Sequence, residues 1–180
     1  MWLTVRGFAN IINDAIVENV VSEKPSQSQS VNAGKTTAYG GEVSVNHKLS
    51  DVIEWFANYT YTTTEIQNDV DPDQDGANVP FVPENTINIG TTLNLPLDFR
   101  VITYLHIAGE IYDSTSKSGR NKFDSYELLN LKLQKTLIKR NTKQVDFYAS
   151  FYNVTNNKFK MPWQFQDPGF SASGGIKAGF

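Results

Sequence analysis

The chain has 180 residues, 39% of them apolar, with 16 basic against 19 acidic side chains and a formal net charge of -3. Cysteine is absent, which excludes disulfides and thiolate metal sites, and the scattered lysines and arginines leave no electrostatic footprint for nucleic acid. No run of about 18 apolar residues occurs, so any crossing of a membrane has to be made by strands, whose alternation of outward apolar with inward polar residues gives a soluble-looking average.

The first predicted strand lies near 2–20. Its opening, Met1-Trp2-Leu3-Thr4-Val5-Arg6-Gly7-Phe8, lacks a positive segment followed by an apolar core, and Arg6, Asn10 and Asp14 interrupt any candidate signal peptide. The expectation is that the chain starts inside a longer protein. The polar stretch near 21–35 reads as a long loop. A second strand follows near 36–49, with Val43 and Val45 opposed by Glu42, Ser44 and Asn46. The third, near 52–67, alternates most clearly: Ile53, Trp55, Ala57, Tyr59 and Tyr61 on one face, Glu54, Asn58, Thr60 and Thr62 on the other.

After an acidic stretch near 68–83, a fourth strand near 84–96 sets Ile87, Ile89, Leu93 and Leu95 against Asn88, Gly90, Thr92 and Asn94. The fifth, near 98–112, carries Phe99, Val101, Leu105 and Ile107; the sixth, near 123–138, sets Leu129, Leu131 and Leu133 against Asn130, Lys132 and Gln134. A seventh near 143–154 and an eighth near 170–180 complete the series, the last ending on Phe180.

Tight turns at 48–51, 95–98 and 139–142 alternate with the long polar stretches, so all the long loops fall at one end. That asymmetry is the signature of an antiparallel membrane barrel with short periplasmic turns and long extracellular loops. A soluble sandwich or internal-ligand barrel shares the alternation. Strands of about 10 to 16 residues, against a usual five or six, favour the membrane reading. Trp2, Trp55, Tyr59, Tyr61 and Phe99 then form aromatic girdles at the lipid interface. Lys139, Arg140 and Lys143, at a short turn, suit headgroup contact.

Four aspartates at alternate positions, Asp69, Asp71, Asp73 and Asp75, precede Gly76 and echo the opening of a calcium loop. The closing Glu is missing, Val82 standing at the twelfth position from Asp71, so a solvated acidic loop with no cofactor is the plainer reading. Tyr112, Trp163 and Phe165 lie in the long loops where an external ligand first arrives, and Arg120 or Lys122 suits an anionic chelate. His47 and His106 lack a partner at ligand spacing, and no Gly-x-Ser-x-Gly motif occurs. No enzyme is expected.

Several segments together resemble the carboxy-terminal part of the β-barrel of TonB-dependent outer-membrane receptors. They are Ala38-Tyr39-Gly40-Gly41-Glu42-Val43-Ser44-Val45, the aromatic Trp55-Phe56-Ala57-Asn58-Tyr59-Thr60-Tyr61-Thr62, the descending segment Val79 to Gly90, Phe151-Tyr152-Asn153-Val154-Thr155-Asn156, and the terminal Phe180. Asn153-Val154-Thr155-Asn156 lacks the usual aromatic, and Phe159 stands where a Tyr is expected. The resemblance implies an all-β fold, an open arc of about eight antiparallel strands from a barrel of about 22. It also implies a Gram-negative outer-membrane receptor for a scarce nutrient such as an iron–siderophore complex, driven through the TonB complex, with the plug domain and earlier strands outside residues 1–180. Phe180 is implied to be the signal read by the outer-membrane assembly machinery. A complete eight-stranded barrel serving as adhesin or anchor is the alternative.

Overall fold

The computed structural model describes residues 1–23, 25–140, 143–162 and 165–179. Every regular element among them is a strand: β1 (Trp2–Glu23), β2 (Ser26–Lys48), β3 (Ile53–Asn68), β4 (Asn85–Leu95), β5 (Phe99–Ala108), β6 (Ile111–Tyr112), β7 (Lys122–Phe123), β8 (Tyr126–Arg140), β9 (Lys143–Tyr152) and β10 (Ser171–Gly179). Eight form one sheet in the order β1-β2-β3-β4-β5-β8-β9-β10, every neighbouring pair antiparallel. β1 and β10 are its two edges, so the sheet is an open arc and not a closed eight-stranded barrel. β6 and β7 pair separately at the long-loop end.

Register fixes the faces. Val5, Val43, Tyr59 and Ile87 lie in one cross-strand row, and Leu93, Val101, Leu133 and Ala149 in another. This face is apolar from edge to edge, and much of it is bare: Val5 is 70% exposed and Ile176 69%. The opposite face is polar, with Arg6, Glu42, Thr60, Asn88, His106, Lys132 and Lys177. Ile66, Ala77, Ala108 and Ile111 are the only buried hydrophobic residues among those described. So small a core holds no soluble domain of this size; the ladder supplies the order and lipid has to cover the apolar face. β4, β5, β9 and β10, with 11, 10, 10 and 9 residues, have the length of a tilted strand crossing a bilayer.

The outward aromatics stand at two levels. Trp55 and Phe99 open their strands at the short-turn end, while Tyr59 and Tyr61 lie toward the long loops. Six residues separate Trp55 from Tyr61, about 20 Å at about 3.3 Å per residue, which suits two girdles around an apolar band. Trp2 departs from the expectation. It pairs with Asn46 on the polar face and donates its indole N–H to Thr4 Oγ1 at 3.0 Å, because Leu3 and Val5 take the outward positions.

Two expected boundaries are corrected. The stretch near 21–35 is not a loop: β1 and β2 remain paired from Ile16↔Asn32 to Glu23↔Ser26, beyond Gly34↔Asn68 where β3 stops. Backbone pairing satisfies the amides of this polar Ser/Gln-rich segment as well as it does apolar ones, so composition did not end the strands. The expected strand near 98–112 stops at Ala108. Gly109 passes so close to β4 that its N–H donates to Asn85 O at 2.8 Å and a Cβ there would lie 3.2 Å from that oxygen. The chain then leaves the sheet into the β6–β7 hairpin.

Candidate functional site

The three long connections 69–84, 109–125 and 153–170 form a knit cap at one end of the arc. In the first, Asn68 and Asp71 wind a tight turn: Asn68 Oδ1 accepts the N–H groups of Val70 and Asp71, and Asp71 Oδ1 accepts that of Asp73 at 2.9 Å. Asx side chains make such turns because they mimic a backbone carbonyl. The carboxylate of Asp73 crosses to the second loop, where it accepts Ser118 N–H at 3.0 Å and Ser118 Oγ at 2.8 Å. Further on, Phe81 stands at φ 64, a conformation costly for a bulky side chain. Its N–H donates to Tyr112 O at 2.9 Å.

The second loop is held by β6 and β7 and by Asp113, which accepts both the backbone and side-chain N–H of Asn121 at 2.8 and 2.7 Å. Those bonds, the side-chain one first, draw its carboxyl below the usual carboxylate range. Lys122 pairs with Glu110 at 2.9 Å, and the hydrogen bond to that carboxylate raises the ammonium's pKa. Arg120 has no such partner among the described residues. Its guanidinium lies 3.7 Å above the Tyr112 ring, and its Nη1 is buried without a hydrogen-bond acceptor. Cation–π stacking thus fixes the fork while leaving donors unspent.

In the third loop Asn153 is fully buried at φ 50. Its N–H donates to Asn130 Oδ1, its Nδ2 donates to Asn157 O at 2.8 Å and Asp167 Oδ1 at 2.7 Å, and its Oδ1 accepts Asn157 N–H. Asp167 also accepts Tyr152 Oη and Gly169 N–H, each at 2.7 Å. Burial pushes the Asp167 carboxyl up, but hydrogen bonds from Tyr152, Gly169 and Asn153 outweigh it, leaving the pKa below its ordinary value. Phe159 stacks on Tyr126 at 4.0 Å between ring centroids. The loop's tip delivers Met161, Pro162 and Phe165, which with Phe81 line an apolar pocket of about 320 Å³. Phe165 is 68% exposed there.

The expected ligand residues therefore fall into two joined groups. Tyr112 and Arg120 form a stacked pair, with Lys122 neutralised beside them by Glu110. Phe165 belongs to the apolar pocket, and Phe81 bridges the two, bonded to Tyr112 and facing Phe165. Trp163 and Phe180 lie outside the described residues. Phe81 and Met161 were missed from the sequence; the signal available was that Phe81 is the one aromatic between Pro80 and Pro83, in a stretch read as a polar, acidic loop. The four aspartates diverge: Asp71 serves its own turn, Asp73 reaches Ser118, Asp75 Oδ1 accepts Asn68 N–H at 3.2 Å, and Asp69 lines a polar pocket with Lys35. Among the described residues no three His, Cys, Asp or Glu side chains gather as a metal site.

Comparison with known proteins places this geometry. Residues 1–154 match the family described as TonB dependent receptor-like, beta-barrel. The ferric-pyoverdine M114 receptor PbuA of Pseudomonas sp. (strain M114) is 36% identical over 72 residues, 38% of this chain and 9% of that protein. The ferric preacinetobactin receptor BauA of Acinetobacter baumannii superposes with a TM-score of 0.78 at 15% identity, over 99% of this chain and 27% of its own. For the ferric yersiniabactin uptake receptor FyuA of Yersinia pestis the TM-score is 0.71 at 17% identity, over 98% and 26%. At these identities the structural likeness is one of fold, and the chain spans about a quarter of either structure. Proteins of this family are receptors of the Gram-negative outer membrane, not enzymes. The apolar outward face, the one-sided loops and the family match together make this chain eight consecutive β-barrel strands of a TonB-dependent receptor.

Proposed function

We propose that the receptor containing these strands takes up an anionic ferric chelate of the siderophore class, and that the loop cap described above contributes to first contact with it. The observation that carries this reading is the Arg120–Tyr112 stack: a positioned guanidinium over a tyrosine whose carbonyl accepts the N–H of Phe81, which lines the apolar pocket with Phe165. An anionic oxygen ligand takes the solvent-facing N–H donors of the half-buried Arg120, while the organic part of the chelate covers the apolar side chains. The relatives support the substrate class, since the receptors PbuA, BauA and FyuA are all named for ferric chelates. Inward movement of the chelate is proposed to be energised through the TonB complex, as the family name implies.

The test uses the full-length receptor in its own outer membrane. Arg120→Ala and Tyr112→Ala should each weaken binding of an iron–siderophore complex by about tenfold or more, and removal of TonB should abolish uptake while leaving binding intact. Unchanged chelate affinity in both variants would remove the loop cap from the binding surface. Uptake that persists without TonB would sink the energy-coupling step.

A further inference from the structure

The short-turn end of the β8–β9 hairpin carries an unusual arrangement of charge. Along β8 the outward positions are Leu131, Leu133 and Lys135, facing Phe151, Ala149 and Phe147 on β9. A register shift between Thr136 and Ile138 then adds one residue to β8, so Ile138 pairs with Val145 and Arg140 with Lys143. The bulge changes which side chains face lipid. With unbroken alternation Lys139 would point outward; with the bulge, Ile138 and Arg140 do, and Lys139 turns to the lumen. There it lines a polar pocket with Asp98, Arg100, Gln134 and Gln144. The sequence cluster of Lys139, Arg140 and Lys143 is thus split between the two faces.

Lys135, Arg140 and Lys143 remain outward as three cations beneath the apolar band. Arg140 and Lys143 oppose each other directly across the strand pair, an arrangement that is destabilising unless an anion lies between. Among the described residues none of the three pairs with a carboxylate. The nearest candidate on the hairpin, Asp146, faces the lumen, where it accepts Thr136 Oγ1 at 2.7 Å and Gln144 Nε2. Among the described residues Lys135 Nζ donates to the carbonyl of Leu97 and not to a carboxylate. Just beside the cations Leu137 and Ile138 are each 56% exposed and Phe147 is 44% exposed.

We propose that this outward face of the β8–β9 hairpin binds an anionic phospholipid of the inner leaflet, its phosphate between Arg140 and Lys143 and its acyl chains along Ile138, Val145 and Phe147. The inference rests on the family's membrane setting and not on the identity of the nutrient. Charge complementarity selects the lipid: three cations with no carboxylate partner among the described residues favour a net-negative headgroup over a zwitterionic one, whose amine adds a further positive charge. The adjoining apolar strip selects a lipid over a soluble phosphate, and the short-turn end selects the inner leaflet over the lipopolysaccharide side.

The full-length receptor, purified in mild detergent and exchanged into nanodiscs of phosphatidylcholine with or without phosphatidylglycerol, provides the test, with lipids retained on the protein counted by native mass spectrometry. The wild type should retain phosphatidylglycerol in preference to phosphatidylcholine, and the R140Q/K143Q variant should lose about tenfold of that preference. K139Q, whose side chain faces the lumen, should behave as wild type, and the charge-conserving R140K/K143R should keep the preference. If R140Q/K143Q folds poorly, K135Q alone should still lower retention. Equal retention by wild type and the Gln variants, an equal loss in K139Q, or a preference for phosphatidylcholine overturns the proposal.

Discussion

Phe56 lies flat against Gly90, its direct partner across β3 and β4: a Cβ at position 90 would stand 2.7 Å from Cζ and 2.9 Å from Cδ1 of the ring, and nearer still to Cε1. The pattern recurs on the polar face. Phe8 covers its partner Gly40, with Cζ 2.8 Å from where a Cβ would be, and Tyr148 covers its partner Gly175, with Oη at 2.7 Å. Three times an inward aromatic folds over a glycine on the next strand, trading a missing side chain for ring contact along the wall.

Gly90→Ala should therefore destabilise the barrel by about 1–3 kcal/mol, because the ring has to leave its place. Gly179→Ala, where nothing lies within 4 Å, should be near neutral. Urea titration of the receptor in detergent, read by loss of heat-modifiable mobility on a gel, compares them. In Phe56→Ala/Gly90→Ala the second change should cost less than it does alone, and additive costs would show that the ring is not the obstacle.

Asn153→Ala should free the 153–170 connection while leaving the sheet paired. It removes a buried side chain that bonds Asn157 and Asp167 and the residue type best suited to φ 50, a loss of about 2–4 kcal/mol. Limited proteolysis should cut this loop many times faster than in the wild type; an unchanged rate would argue against Asn153 as its anchor.

The same loop should loosen in acid. The folded pKa of Asp167 lies below its unfolded value. Its stabilisation is thus fully present above the ordinary carboxylate range and is lost as pH falls through that lowered folded value. Hydrogen exchange of residues 165–170 should quicken over that acidic window in the wild type. In Asp167→Asn it should be fast and flat with pH; a wild type equally flat would mean that the carboxylate does not hold the loop.

Asp73→Ala should loosen the link between the first two loops by removing the side-chain acceptor of Ser118, while the backbone bonds from Lys117 N–H to Asp73 O and from Phe81 N–H to Tyr112 O remain. Spin labels at 74 and 117 should report a broader distance distribution than in the wild type. Chelate affinity should fall by only a few-fold, since such exposed hydrogen bonds contribute about 1 kcal/mol.

Much of the fold was legible because a strand's two faces are written at alternate residues. Ile53 to Tyr61 and Ile87 to Leu95 announced themselves as outward faces, and the three short turns put the long loops at one end. Tyr112 and Arg120 were legible as loop aromatics and cations near one another in the chain. Their stacking was not, since it depends on the β6–β7 pairing that folds 120 back over 112. Phe81 was hidden because its role comes from a neighbour more than 80 residues away, Phe165.

The sequence by itself determined eight crossing strands, their apolar and polar faces, the one-sided loops and the family, all of which follow from a local period of two and the residues at the turns. Only the tertiary structure decided where that period breaks. The bulge at 136–138 reverses which cations meet lipid, Gly109 ends β5 early by its approach to Asn85, and β1 and β2 run on past β3 through polar residues. Each is decided by a partner strand's register, and register is a relation between segments that neither segment carries alone.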